Sequence, residues 1–192
     1  MIFLWDKVKG NASMSNPFTV SLVCWHDGEP LLKSVREAVF IREQGVPAEL
    51  EWDGLDESAR HALALSHQGD AIGCGRMLAN GHIGRIAVLP QWRTKKVGTA
   101  IMEALLDYAR AQDYKQVDVD AQAHALPFYR SFGFAEHGKA FMDAGLPHIK
   151  MTLQLFGQVI ICAASFRCKS VCRPVTERDN RRSYRPFPCP AG

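Results

Sequence analysis

The sequence predicts one α/β domain in which a mixed, mostly antiparallel sheet is flanked by helices. Three observations carry that expectation: apolar strand-length runs joined by turn residues between 61 and 89, a strongly amphipathic helix beginning near Gly98, and a strictly alternating strand from Gln116 to Gln122. At 192 residues the chain suffices for one ordinary domain and is short for two. With 47% hydrophobic and 22% charged residues it falls among globular proteins, which excludes wholesale disorder, collagen and coiled coil.

Taken in order, residues 1 to 16 lack periodicity and read as a loose leader, with Met14 as a candidate start. Residues 17 to 156 read as the folded domain. Phe18 to Cys24 is a β-rich run, and the Asp27-Gly28-Glu29-Pro30 stretch reads as a turn that opens a helix from Leu31 to about Gln44. Leu32, Val35, Val39 and Arg42 fall on one stripe of that helix. An acidic segment with Glu49, Glu51, Asp53, Asp56 and Glu57 around Trp52 reads as a surface loop or short helix.

His61 to Ser66, Ala71 to Leu78 and His82 to Leu89 are the meander strands, the last two joined by Asn80-Gly81, a strong hairpin signal. Pro90 stops the third strand, and Gln91 to Lys96 form a basic loop. In the helix that follows, Ala100, Ile101, Ala104, Leu105, Tyr108 and Ala109 form the expected buried stripe, opposite Glu103, Asp107 and Arg110. Val117, Val119 and Ala121 alternate with Asp118, Asp120 and Gln122, the period of a half-buried strand. A short helix is expected over about Ala125 to Ser131, a strand beginning at Phe134, and a last strand from His148 to Leu155 after the Asp143-Ala144-Gly145 turn.

Charge and cysteine usage divide the chain. Residues 1 to 156 hold 16 Lys+Arg against 18 Asp+Glu, while 157 to 192 hold 7 against 2, so the body is acidic and the tail basic. An acidic body argues against a nucleic-acid-binding domain and leaves only the tail for that part. Cys24 and Cys74 sit in apolar runs of the body, whereas Cys162, Cys168, Cys172 and Cys189 lie in the tail without the Cys-x2-Cys spacing of structural zinc sites. No metal is implied. Residues 157 to 192 read as a largely disordered basic extension rich in proline near its end. The weakly polar run from Leu153 to Phe166 contains Gln154, Gln158 and Ser165 and falls short of the ~20 apolar residues a membrane span needs. Only four apolar residues, Ile2 to Trp5, precede Asp6 and Lys7, which argues against a secretory signal. The expectation is a cytoplasmic protein with no membrane partner.

The stretch from Ile83 to Ala100 carries the chemistry. A strand that runs through a basic loop into a helix presents unpaired backbone N–H groups at a helix N-terminus, where the dipole also favours anions. Gly98 allows close approach of a ligand, and Arg93, Lys95 and Lys96 can neutralise phosphates. Neither the Walker A pattern nor the three-glycine dinucleotide fingerprint fits the loop, which disfavours nucleotide hydrolases and dehydrogenases.

Here the sequence resembles the GNAT superfamily of acetyl-CoA-dependent N-acetyltransferases. That family's cofactor motif, Arg/Gln-x-x-Gly-x-Gly/Ala at a strand-loop-helix junction, is matched by Arg93-Thr94-Lys95-Lys96-Val97-Gly98, with Lys96 in place of the first glycine. A second family feature stands intact as Phe128-Tyr129-Arg130-Ser131-Phe132-Gly133-Phe134. Val39 to Pro47, Ala121-Gln122-Ala123-His124 and Asp143 to Met151 resemble the ElaA-like branch and its relatives. The resemblance covers about residues 18 to 155.

The resemblance implies acetyl-CoA as co-substrate, held by Ile86, Ala87 and Val88 along the strand, by Arg93, Lys95, Lys96, Val97, Gly98, Thr99 and Ala100 at the loop and helix start, and by Gln122 and Phe128. It implies acetyl transfer to a primary amine of a small molecule or peptide, in a protein for which a homodimer is also allowed. Such transfer needs an unprotonated amine, a stabilised oxyanion and a proton for the departing thiolate. Tyr129, protonated at neutral pH, is the expected proton donor. For the base, Glu43 is the first candidate and His148 the second; a solvated carboxylate and a strand-end histidine are their plainer readings. The acidic run from Glu49 to Glu57 would attract a cationic amine substrate, its plainer reading being a solvated surface face. Two other classes compete: a non-catalytic acyl-CoA-binding or regulatory module on the same fold, kept open by Lys96, and a nucleic-acid-associated protein working through the tail.

Overall fold

The apolar runs assemble into one eight-stranded sheet in the computed structural model, which describes residues 17–155. The expected leader and the basic tail lie outside the described residues. β1 (Phe18–Val23), β2 (Arg60–Ser66), β3 (Ala71–Met77) and β4 (His82–Val88) pair antiparallel in chain order. β4 then pairs parallel with β5 (Gln116–Gln122). β8 (Leu146–Gln154) runs antiparallel to β5 and carries the short β6 (Ala135–Glu136) and β7 (Phe141–Asp143) on its other side. A parallel neighbour can be reached only by a crossover, and the helix Val97–Ala111 supplies it.

Before that crossover helix the chain makes α1 (Trp25–Arg36), a π-helical continuation over Glu37–Glu43, and α2 (Ala48–Glu51). The crossover helix is α3, and α4 (Leu126–Arg130) follows β5. Helix α3 covers one face of the sheet. Its Val97, Ile101, Leu105 and Ala109 are buried with Val117, Val119 and Ala121 of β5 and Met151 of β8, and full burial of one such aliphatic side chain stabilises by about 1.5–3 kcal/mol. The approach is close: a Cβ on Gly75 of β3 would lie 2.8 Å from Ile101 Cγ2. On the other face Leu32, Val35 and Val39 pack with Leu63, Cys74 and Ala87.

Four expectations need correction. The Asp27 to Pro30 stretch is no turn; it lies inside α1, which starts at Trp25. Gly28 is there because a Cβ would come 2.9 Å from Val23 Cγ2, so the residue read as a breaker is a packing requirement. Arg42 leaves the buried stripe, because the π-helical turns rotate it outward until its side chain is 76% exposed. Arg36 is buried instead, at 1%. β7 was not expected; it forms because Ala144 and Gly145, with φ of 45° and 77°, make a two-residue left-handed turn that returns it onto β8.

The acidic segment is the fourth correction, since it does not merely solvate a surface. Glu51 and Asp56 are buried. Arg36 donates to Glu51 Oε1 at 2.5 Å, to Asp56 Oδ1 at 2.7 Å and to the Glu51 carbonyl at 3.0 Å. Arg76 of β3 donates to both oxygens of Asp53, at 2.7 and 2.6 Å, and to Asp56 at 2.9 Å. Arg85 of β4 reaches the Leu50 carbonyl at 3.0 Å; its Nε lies 3.0 Å from Glu51 Oε2 as an ion pair whose N–H is not aimed at the oxygen. Burial alone would raise the Asp53 carboxyl, but the Arg76 hydrogen bond, the Leu55 N–H and the two arginine charges outweigh it and hold the group at about 2. The segment is thus strapped onto the sheet by three arginines from three elements.

Removing one partner of such a network strands buried charge. Arg36→Met is expected to cost about 3–5 kcal/mol of stability, since Glu51 and Asp56 stay buried. Urea denaturation measures it, and a loss below about 1 kcal/mol, typical of an exposed pair, would show that the network bears little of the fold.

Candidate functional site

The site forms where β4 and β5 part. Their parallel pairing extends only over His82↔Asp118 and Ile83↔Val119, and beyond that point the strands separate. The cause lies in β4. Arg85 has φ +52°, and the register with β3 slips so that Cys74 faces Ala87 while Arg76 faces Gly84, one extra residue on β4. This bulge re-aims the strand away from β5. Past the bulge, Leu89 N–H donates to the Ile72 carbonyl of the β3 side at 3.0 Å. By alternation Val88 therefore turns its N–H and carbonyl away from β3, toward the opening.

Of the three strand residues expected to hold the cofactor, the structure gives each a different environment. Ala87 is buried against α1, Ile86 packs toward α3, and Val88 lies beside Gly98. The loop below them is a left-handed path: Thr94 and Lys96 have φ of 62° and 63°. Lys96 thus holds the conformation that a glycine adopts without strain, so the substitution keeps the path at a local cost of about 1–2 kcal/mol.

Helix α3 begins directly after Lys96 without a side-chain cap, and its first N–H to find an intrahelical partner is that of Ala100, bonded to the Lys96 carbonyl at 3.0 Å. The N–H groups of Val97, Gly98 and Thr99 remain for a ligand, at the positive end of a 15-residue helix. The exposed Lys95, its ammonium 4.9 Å from the Trp92 ring centre, adds charge at the rim. These groups fit a pyrophosphate.

Gly98 faces Val88 and Phe128, with a hypothetical Cβ at 3.7 and 3.8 Å, ordinary contact distances. Gly98→Ala should therefore fold. If the loop cradles the pyrophosphate of CoA, CoA should raise the melting temperature of wild type and of Gly98→Ala, and Gly98→Glu should fold yet abolish that rise, because it adds bulk and negative charge at the helix start. Unchanged CoA affinity in folded Gly98→Glu would remove the loop from the cofactor site.

Arg93 and Glu43 come together. Arg93 donates through Nη1 and Nη2 to both Glu43 carboxylate oxygens, at 2.8 and 2.6 Å, and through Nε to the Val88 carbonyl at 3.1 Å. The guanidinium thus ties the end of the first helical segment to the loop before α3. The Arg93 hydrogen bond holds the Glu43 carboxyl below the usual carboxylate range, which makes it a poorer proton acceptor than a free glutamate.

His148 of β8 lies in register with Gln122, whose amide donates to Gln44 Oε1 at 3.3 Å. The His148 ring donates from Nδ1 to the Leu146 carbonyl at 2.9 Å and stacks on Phe141 with centroids 6.0 Å apart.

Tyr129 is placed by a helix ended at Gly133, where φ is +90° and the N–H groups of Gly133 and Phe134 bond back to Arg130 and Tyr129. Its ring meets Phe128 and Phe134 edge-on at 5.2 and 5.9 Å. Burial pushes the phenol up to about 12, so it stays protonated far above neutral pH.

One pair escaped the sequence reasoning, which sets Asp118 aside as facing water or a neighbouring helix and gives His82 no role. His82 donates from Nδ1 to Asp118 Oδ2 at 2.8 Å, and Lys150 Nζ stands 3.6 Å from the same oxygen. The pair lies at the first of the two rungs that join β4 to β5, one residue before the strands separate. With Nδ1–H committed to the carboxylate, Nε2 of the neutral ring is the free acceptor. It points along Gly84, where a Cβ would meet only His82 itself within 4 Å. The available signal was a polar residue opening β4 and another at the third position of β5, 36 residues apart, which become a pair only through the parallel register.

Comparison with known proteins agrees with this architecture. Residues 29–155 match the model of the acetyltransferase (GNAT) domain, and the chain belongs to the GNAT acetyltransferase family. It is 38% identical over 121 residues to the uncharacterized N-acetyltransferase YjcF of Bacillus subtilis, an alignment covering 61% of this chain and 86% of that protein. It is 32% identical over 132 residues to the protein ElaA of Escherichia coli, covering 65% and 86%. The crystal structure of Escherichia coli ElaA superposes with a TM-score of 0.64 at 29% identity, over 70% of this chain and 98% of that one. An acyl-CoA N-acyltransferase from Pseudomonas aeruginosa superposes with a TM-score of 0.64 at 27% identity, again over 70% and 98%. The mixed, mostly antiparallel sheet with flanking helices is the fold of this family, as the motifs implied. Among the described residues no helix is long and apolar enough to cross a membrane, and no group of three or more side chains is arranged to hold a metal ion.

Proposed function

We propose that the protein transfers the acetyl group of acetyl-CoA to a primary amine of a small molecule or peptide, in the cytoplasm. The observation that carries this reading is the parting of β4 and β5 beside the uncapped start of α3. A pyrophosphate at the Val97, Gly98 and Thr99 N–H groups would direct the pantetheine along Val88 and Ala87 into the opening, with a backbone N–H at the bulge, near Ile86, turned toward the thioester oxygen. Lys95 and Lys96 add charge at the rim, Phe128 walls the cradle beside Gly98, and Gln122 lies at the far end of β5.

Acetyl-CoA brings the thioester; this chain handles the protons. An alkylammonium, with a pKa of about 10.4, must first lose a proton. His82 Nε2 takes it, and Asp118 stabilises the imidazolium that results. The amine lone pair then attacks the thioester carbonyl carbon, and negative charge grows on its oxygen, where a backbone N–H stabilises it. As the C–S bond breaks, Tyr129 gives its proton to the thiolate, and the second proton of the attacking nitrogen, released as the amide forms, passes through water back to the Tyr129 oxygen. His82 replaces Glu43 and His148 as the leading base. Glu43 is neutralised by Arg93, and His148 donates Nδ1 to the uncharged Leu146 carbonyl, which stabilises an imidazolium less than the Asp118 carboxylate does.

Thiol release from acetyl-CoA across a panel of amines and peptides tests the reading, run beside CoA-binding calorimetry on the same preparation. Release that depends on one class of amine supports it. CoA binding with no release for any amine would assign the chain to the non-catalytic acyl-CoA-binding class.

A further inference from the structure

A second cavity lies on the outer side of α1 and shares no lining residue with the proposed acetyl-transfer site. Its volume is about 460 Å³. Trp25, Glu29, Lys33 and Glu37 follow one another at four-residue spacing along the first helical segment and form one wall. Trp52, Gly54, Asp56 and Glu57 form the other. Two indole rings and four carboxylates thus surround one lining cation.

That cation shows what the cavity holds. Lys33 Nζ stands 5.8 Å from the Trp25 ring centre and 5.7 Å from that of Trp52, and it donates to Glu29 Oε1 at 2.6 Å. A primary ammonium between two aromatic rings and a carboxylate has the surroundings that stabilise organic ammonium ions in aromatic cages. The cage is rigid from below: buried Arg36 lies 5.7 Å from the Trp25 centre and 4.7 Å from that of Trp52, itself fixed by Glu51 and Asp56. Lys33 is the movable member. Its side chain is 42% exposed, and its tie to Glu29 is a surface pair of the kind that contributes little.

We propose that this cavity is a binding site for an organic ammonium group, primary or methylated, which takes the place Lys33 occupies over the two indoles. Lys33 acts as an internal competitor, and Glu29 and Glu57 supply the counter-charge. The cavity exceeds the size of an ammonium head, so the alkyl chain behind it is also accommodated. The ammonium can come from a free diamine or from a basic side chain of a polypeptide, and the chemistry of the cage is the same for both.

Full-length protein is titrated with 1,5-diaminopentane, with tetramethylammonium and with Nα-acetyl-lysine methylamide, followed by calorimetry and indole fluorescence. Lys33→Met removes the competing ammonium and keeps the stem, and it is expected to tighten binding by about threefold to tenfold, the size of one cation–π contact. Glu29→Gln and Glu57→Gln, each in the Lys33→Met background, should weaken binding by a similar factor without touching Arg36. Saturating CoA should change none of these values, which separates this site from the acetyl-transfer site. Preference for the diamine or for the lysine derivative identifies the source. The proposal is overturned if Lys33→Met binds no tighter than wild type, if both glutamine variants bind unchanged, or if CoA displaces the probes.

Discussion

His82→Ala is expected to lower turnover by about 10²- to 10⁴-fold at neutral pH, the range for loss of a general base, while CoA affinity stays near wild type. The affinity should hold because His82 sits at the paired rung of β4 and β5, whereas the loop proposed to cradle the pyrophosphate begins beyond Pro90. A pH series separates a base from a structural part. An acceptor amine with a pKa of about 10.4 deprotonates by itself as pH rises, so the deficit of His82→Ala should shrink toward pH 10. A variant that merely distorts the strand would stay equally impaired at every pH. Asp118→Asn should reproduce part of the loss, because the imidazolium would lose its charged partner. A larger loss from His148→Gln than from His82→Ala would move the base to β8.

That pair also shows why part of the site was hidden in the sequence. Features confined to one continuous stretch were legible: the meander, the α3 stripe, the β5 alternation and the basic loop ending at Gly98 each declare themselves within a dozen residues or so. The GNAT resemblance rests on the same kind of stretch. Features that need two distant elements were not legible. Nothing near Asp118 announces that parallel pairing sets it against His82. The acidic segment looked solvated because its own residues are polar, and its arginine partners arrive from α1, β3 and β4. Gly28 and the turn at Ala144-Gly145 mark the limits of local rules in opposite directions. One breaker-like glycine is helical because Val23 leaves no room for a Cβ, and one alanine takes φ +45° because a hairpin requires it. Lys96 is the informative mixed case. Its identity departs from the family motif while its backbone keeps the left-handed geometry the loop needs.

Tyr129→Phe is expected to lower turnover by about 10²- to 10⁴-fold with little change in CoA affinity. The two roles open to Tyr129 differ in what this change removes. As a core ring it packs edge-on against Phe128 and Phe134, and phenylalanine preserves both contacts. A packing role therefore leaves stability and turnover near wild type. As a proton donor it has only the hydroxyl, which among the described residues makes no hydrogen bond and is held protonated by burial, at about 12. The thioester sulfur is almost non-basic at the start of the step and gains basicity only as the C–S bond breaks and negative charge collects on it, so the hydroxyl matters in the transition state more than in the ground state. Loss of turnover with retained affinity follows. The elevated pKa adds a second readout: the donor stays protonated across the accessible pH range, so the basic side of the wild-type profile should show no loss of activity from Tyr129 ionising below about pH 11. Turnover of Tyr129→Phe within about threefold of wild type, well under the general-acid range, would return Tyr129 to the core and pass the proton to water.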